Sequence, residues 1–289
     1  MRIGAHLVKF DFDGGPEAIA PTIAAFGAAA EEAGLDNVSL MDHYLQMKAL
    51  GDDSNMLEGY TTLGFLAAHT STVDLQLLVT GVTYRHPALL AKIVSTLDVL
   101  SGGRAVLGIG AAWYVEEHAA YGIPYPSLAE RFERLEETLK VVRSMFDDDG
   151  RPHEGKHYRL GATLNRPKPL RRPPIMVGGG GEKKTLRLVA RYADACNIYA
   201  NPDSGPDALQ RKLDVLRGHC DHEGTDYDAI AKTILWSTDL DPTDQEFVVQ
   251  MRGFADIGVS AVHVMHIGDE PVEFVQELGR SIVPAVHDL

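Results

Sequence analysis

The chain has 289 residues, of which 45% are hydrophobic and 24% charged, so it can bury a large core and is not a disordered chain. Its 41 acidic residues against 27 basic ones leave a net charge of −14. That balance speaks against a general nucleic-acid binder, which needs clustered basic charge, but it admits a small anionic ligand held by local backbone dipoles.

The first expected strand is Ile3 to Leu7, and a helix from Ile19 to Ala33 follows, stopped by Gly34. Val38 to Met41 is a second short apolar run, and Leu57 to His69 carries helical spacing. Leu75 to Thr80 is rich in strand formers, and the next helix shows Leu89, Leu90, Ile93, Val94, Leu97 and Leu100. After the strand Ala105 to Ile109, the clearest helix places Leu128, Phe132, Leu135, Leu139, Val142 and Phe146 on one face. Later strands are Ile175 to Val177, Ala195 to Tyr199, Thr233 to Trp236 and Ala261 to Met265, each followed by a helical pattern.

Eight strand–helix pairs in this length predict a single α/β domain over residues 1–289, a closed (β/α)8 TIM barrel. An open doubly wound sheet is the alternative. The segment 147–173 breaks the pattern. It is rich in proline, glycine, Arg and Lys, and reads either as a solvated excursion or as a lid. No apolar run approaches ~18 residues, so no membrane span is expected. The N-terminus lacks a signal-peptide apolar region. The two cysteines, Cys196 and Cys220, form no CxxC pair, which fits a reducing cytoplasm.

In such a barrel the chemistry sits just after the strands. Asp42-His43 follows the second strand, and His43 is a candidate acid or base. Gly108-Ile109-Gly110-Ala111-Ala112-Trp113 lacks the third glycine of a dinucleotide fingerprint. Its glycines instead let the backbone pass close to a flat ligand. Gly178 to Gly181, between a strand and a helix expected to start near Glu182, present amides to an anion and lack the Lys-Ser/Thr of a P-loop. His6, His43, His86, His118 and His266 follow no metal-ligand spacing, so no metal is expected. No Gly-x-Ser-x-Gly elbow occurs.

Taken together, these motifs resemble the bacterial luciferase-like family, and within it the coenzyme F420-dependent oxidoreductases. The resemblance rests on Asp42-His43, Val79 to Pro87, Ser101-Gly102-Gly103-Arg104, Gly108 to Trp113, Tyr121-Gly122-Ile123-Pro124, Glu130-Arg131 and Pro173 to Gly180. It implies a barrel with an insertion, here near 147–173, and an enzyme that moves a hydride between the deazaflavin and a small organic substrate. FMN-dependent monooxygenation is the alternative within the family, and a cofactor carrier without turnover the alternative outside it.

The resemblance also implies His43 as acid/base and Asp42 at the ring. Thr80, Gly81 and Val82 would back the ring, often through a non-proline cis peptide. Gly110, Ala111 and Tyr114 would stand beside the cofactor, and Gly179, Gly180, Gly181 and Glu182 at its phosphate. Ala111 stands where the family's sugar-phosphate dehydrogenases carry a glutamate, and Glu116 or Glu117 is a candidate replacement carboxylate. Arg and Lys of the 147–173 segment are candidates to attract an anionic cofactor tail. A cytoplasmic homodimer without nucleic-acid or membrane partners completes the expectation.

Overall fold

The computed structural model describes every residue except Asp52. In chain order the elements are β1 (Arg2–Leu7), α1 (Pro16–Glu32), β2 (Asn37–Leu40), α2 (Gly59–His69), β3 (Asp74–Leu77), β4 (Thr80–Gly81), α3 (Pro87–Leu100) and β5 (Ala105–Gly110). There follow α4 (Val115–Tyr121), α5 (Leu128–Asp147), β6 (His153–Glu154), β7 (Arg159–Leu160), β8 (Ile175–Gly178), α6 (Thr185–Tyr192), β9 (Ala195–Ala200) and α7 (Pro206–Glu223). The chain ends with β10 (Ala231–Asp239), α8 (Gln245–Asp256), β11 (Val259–His266), α9 (Pro271–Ser281) and α10 (Val283–His287).

Eight parallel strands close into a barrel in the order β1, β2, β3, β5, β8, β9, β10, β11. Two pairings decide closure over an open sheet: Ile3 with Val262 between β1 and β11, and Leu75 with Ala105 between β3 and β5. The (β/α)8 expectation therefore holds. The alternation along each strand sets what faces where. Ile3, Ala5, Val38, Leu40, Leu75, Leu77, Leu107, Ile109, Ile175 and Val177 are buried in the main apolar cluster with the surrounding helices. The alternate positions His6, Ser39, Asn37, Gln76, Asn197 and Thr233 are buried polar groups that bond to one another. Ser39 Oγ lies 2.9 Å from His6 Nδ1, Gln76 donates to Asn37 Oδ1 at 3.2 Å, and Asn197 donates to Thr233 Oγ1 at 2.9 Å. Gly108 is required on this face, since a Cβ there would lie 2.2 Å from the Leu77 carbonyl oxygen.

Several boundaries differ from expectation. The strand predicted over Leu75 to Thr80 is two pieces, β3 and β4, with a cis peptide between Leu78 and Val79. Helix α2 starts at Gly59 because Glu58 caps it, its carboxylate accepting the Thr61 amide at 2.7 Å. Helix α4 was not expected, being only seven residues long and lying inside what reads as a post-strand loop. The Ser101-Gly102-Gly103-Arg104 motif is structural. Arg104 Nε donates to Ser101 O, and its guanidinium also donates to the carbonyls of Ala67, Thr70 and Val73, which ties the end of α2 to the barrel floor.

The segment 147–173 is neither a bare excursion nor an open lid. It holds the β6–β7 hairpin, clasped on α5, where the Glu137 carboxylate accepts the amides of Lys156, His157 and Tyr158. Its charges are largely spent within the fold. Lys156 pairs with Glu133, Arg171 with Asp74, and Arg172 with Asp194. Asp74 opens β3 and Asp194 precedes β9, so both arginines lie at the barrel end opposite the strand C-termini. This corrects the expectation that the basic residues as a group attract a cofactor tail.

Candidate active site

Asp42 leaves the C-terminal end of β2 and is buried. Its Oδ2 accepts the Gly81 amide at 2.9 Å and Arg85 Nη1 at 2.7 Å, while Oδ1 accepts Arg85 Nη2 at 2.9 Å. A guanidinium has no acceptor, and a fork of this kind needs a carboxylate with both oxygens receiving, so the pair is ionised. Burial works against the Arg85 charge and pushes the Asp42 carboxyl up, but Asp42 holds Arg85 well above its ordinary value. Arg85 also pairs with Glu58 and lies over the Tyr60 ring at 4.8 Å; the Tyr60 hydroxyl meets Thr80 Oγ1 at 2.7 Å. Asp42 thus fixes β4, and with it Thr80, Gly81 and Val82, at the barrel mouth. The sequence placed Asp42 at a ring; the structure engages both its oxygens with protein.

His43 sits beside it with a small exposed edge. Its Nδ1 lies 2.8 Å from Glu117 Oε1, on α4. Glu117 is fully buried and is further filled by the Tyr44 amide at 2.7 Å on Oε2 and by the Tyr84 hydroxyl on Oε1. Burial pushes this carboxyl up, but the bonds from His43, the Tyr44 amide and Tyr84 outweigh it and hold Glu117 below the usual carboxylate range. Among the described residues no protein group is bonded to His43 Nε2. The ring is walled edge-on by Trp113 and Tyr114, each at 5.5 Å.

After β5 the chain turns sharply. Gly110 accepts the Val82 amide at 3.0 Å, and Ala112 adopts φ 59°. Trp113 is 57% exposed, a large aromatic face left open beside His43. Tyr114 is buried behind it, its hydroxyl donating to Gln46 O at 3.3 Å. Ala111 is half-buried and packs on the main core, and brings no carboxylate to the mouth.

Across the mouth, Gly178 ends β8. Gly179, at φ 114°, gives its amide to Asn197 O at 2.9 Å. Helix α6 begins only at Thr185, three residues later than expected, because Glu182 to Lys184 form a turn. Among the described residues the amides of Gly180, Gly181 and Glu182 have no protein acceptor. Lys212 from α7 reaches over them, its Nζ donating to Gly180 O at 3.1 Å. Open amides with a lysine beside them form a fitting seat for a phosphate.

The other histidines flagged in the sequence do not converge. His6 bonds Ser39 inside the barrel, His86 caps α3, His118 bonds Thr83, and His266 stacks on Phe274. Sequence reasoning left Tyr84, Arg85, Trp113 and Lys212 unassigned. Glu117 was a candidate only as a replacement for the carboxylate missing at Ala111, and nothing in the sequence paired it with His43.

A family model described as luciferase-like monooxygenase matches residues 4–277. An F420-dependent glucose-6-phosphate dehydrogenase of Kineococcus radiotolerans is 29% identical over 273 residues, covering 93% of this chain and 79% of that protein. Among solved structures, an F420-dependent secondary alcohol dehydrogenase in complex with an F420-acetone adduct superposes with a TM-score of 0.84 at 18% identity, over 99% of this chain and 98% of that one. A monooxygenase from Streptomyces bottropensis superposes with a TM-score of 0.76 at 18% identity, over the whole of both chains.

Proposed function

Since the chain belongs to the luciferase-like monooxygenase family, we propose that it is a coenzyme F420-dependent oxidoreductase acting on a small organic molecule. The observation that carries this reading is the pairing, across one barrel mouth, of His43 with its Nε2 free and a seat of open amides under Lys212. The F420 dependence named for the dehydrogenases above supports the choice of cofactor. When bound, the deazaflavin supplies a ring carbon that gives or takes a hydride.

The protein's part is to bind, orient and handle the proton. Gly180, Gly181 and Glu182 hold the phosphate through their amides, and Lys212 adds charge. The Thr80–Val82 backbone, held by Asp42, backs the ring, with Gly110 and Ala111 beside it. Trp113 offers an apolar face, and His43 Nε2 moves the proton. Ala111 withholds the carboxylate of the sugar-phosphate dehydrogenases, so glucose 6-phosphate is not the substrate in this reading. A homodimer in the cytoplasm belongs to the same proposal, supported by the family resemblance and by the free thiols of Cys196 and Cys220.

Titration of the purified protein with F420 and with FMN, followed by fluorescence, tests it. F420 is expected to bind more tightly than FMN, with affinity falling as salt rises because the seat is charged. Tight FMN binding with oxygen consumed on turnover would replace this reading with monooxygenation.

A further inference from the structure

Two buried carboxylates flank the loop that carries His43, and they are treated differently. The charge of Asp42 is cancelled by the forked bond from Arg85. Among the described residues Glu117 has no arginine or lysine partner. Among the described residues, the one side chain that can bring it a positive charge is His43. Its other partners, the Tyr84 hydroxyl and the amides of Tyr44 and Leu45, are neutral donors.

The hydrogen positions follow from this arrangement. An ionised carboxylate only accepts, so the 2.8 Å contact from His43 requires the hydrogen on Nδ1. A neutral imidazole then carries its lone pair on Nε2, the nitrogen without a protein partner. Tyr84 and the two amides occupy the remaining capacity of Glu117, which keeps the carboxylate from turning away. The groups facing His43 are Glu117 on α4, Trp113 and Tyr114 between β5 and α4, and His6 on β1. Glu117 holds the imidazole by a hydrogen bond at Nδ1.

We propose that Glu117 is a positioning residue that keeps the His43 proton on Nδ1, so that His43 presents the lone pair of Nε2 at the mouth and takes up a proton there. The imidazolium so formed is met by the charge of Glu117, and in the reverse direction it returns the proton. The coupling of that proton to turnover rests on the function proposed above; the assignment of the histidine proton does not.

The test is NMR of the full chain labelled with 15N-histidine and free of cofactor, with the His43 signals assigned by their loss in His43→Asn. Wild-type His43 is expected as the Nδ1–H tautomer. In Glu117→Gln the amide can donate to Nδ1, so the Nε2–H tautomer is expected to dominate and kcat of F420-dependent turnover to fall at least about 100-fold. Tyr84→Phe keeps the carboxylate, so the wild-type tautomer and a loss of less than about tenfold are expected. A wild-type His43 protonated on Nε2 overturns the proposal, and this reading needs no variant to fold. So does a Glu117→Gln protein that keeps both tautomer and turnover. If the tautomers are as expected but the protein binds no F420, the cofactor reading fails while the role of Glu117 stands.

Discussion

At the scale of single residues, His43 carries the sharpest expectation. His43→Ala removes the one mouth group here assigned to move a proton, so kcat is expected to drop by about 10²–10⁴-fold with cofactor affinity nearly unchanged. Steady-state kinetics beside a binding titration check this. Ala112 offers a test of stability. It holds φ 59°, a left-handed conformation that disfavours any Cβ. Ala112→Gly is expected to stabilise the fold by about 0.5–1 kcal/mol, once the greater freedom of glycine in the unfolded chain is deducted. The urea midpoint measures it. His43 was legible in the sequence because a residue just past a strand end has a defined place in a barrel. Glu117 was not, because its partner lies 74 positions away and α4 is too short to show a period.

At the scale of elements, the β6–β7 hairpin hangs on Glu137, which takes three consecutive backbone amides. Glu137→Ala strands those donors and is expected to cost about 2 kcal/mol. It is also expected to open residues 150–165 to limited proteolysis, which is the measurement to make. The glycine turn after β8 behaves differently, because its amides face outward rather than into the fold. A Cβ at Gly181 would lie 2.8 Å from Thr185 Oγ1. Gly181→Val therefore has to push aside the first residue of α6 and crowd the open amides. The F420 dissociation constant is expected to rise at least about tenfold, with a stability loss near 1 kcal/mol. Fluorescence titration and a thermal melt separate the two effects. The glycine run could be read from sequence; Lys212 could not, since α7 brings it from 32 positions away.

At the scale of the molecule, the polar barrel interior sets the response to acid. His6 is depressed to about 3 by burial and by the nearby His263, and His263 to about 4 by burial and by Arg2. Both are neutral in the folded state, whereas the unfolded chain takes up protons near 6.5. Their contribution is complete above pH 6.5 and is lost as pH falls from there toward 4. The loss amounts to about 2 kcal/mol for each histidine at pH 5. Urea midpoints between pH 8 and 4.5 should fall steadily below 6.5, and a flat profile would show that the two rings are charged or hydrated in the folded state.

The sequence by itself determined the eight-fold alternation of strand and helix, and so a parallel sheet covered by helices, because burial of such a sheet on its helix side writes an apolar period into the chain; the β1–β11 and β3–β5 pairings closed it into a barrel. It also marked the strand ends, where Asp42, His43 and the glycines of β8 stand. Tertiary structure alone decided how those ends are wired. Asp42 goes to Arg85, His43 to Glu117, and Lys212 to the glycine turn. It also turned Arg171 and Arg172 to the far end of the barrel. Each of these is a contact between loops or helices distant in sequence. A side chain's partner there depends on which strands close the ring, and no local period records that.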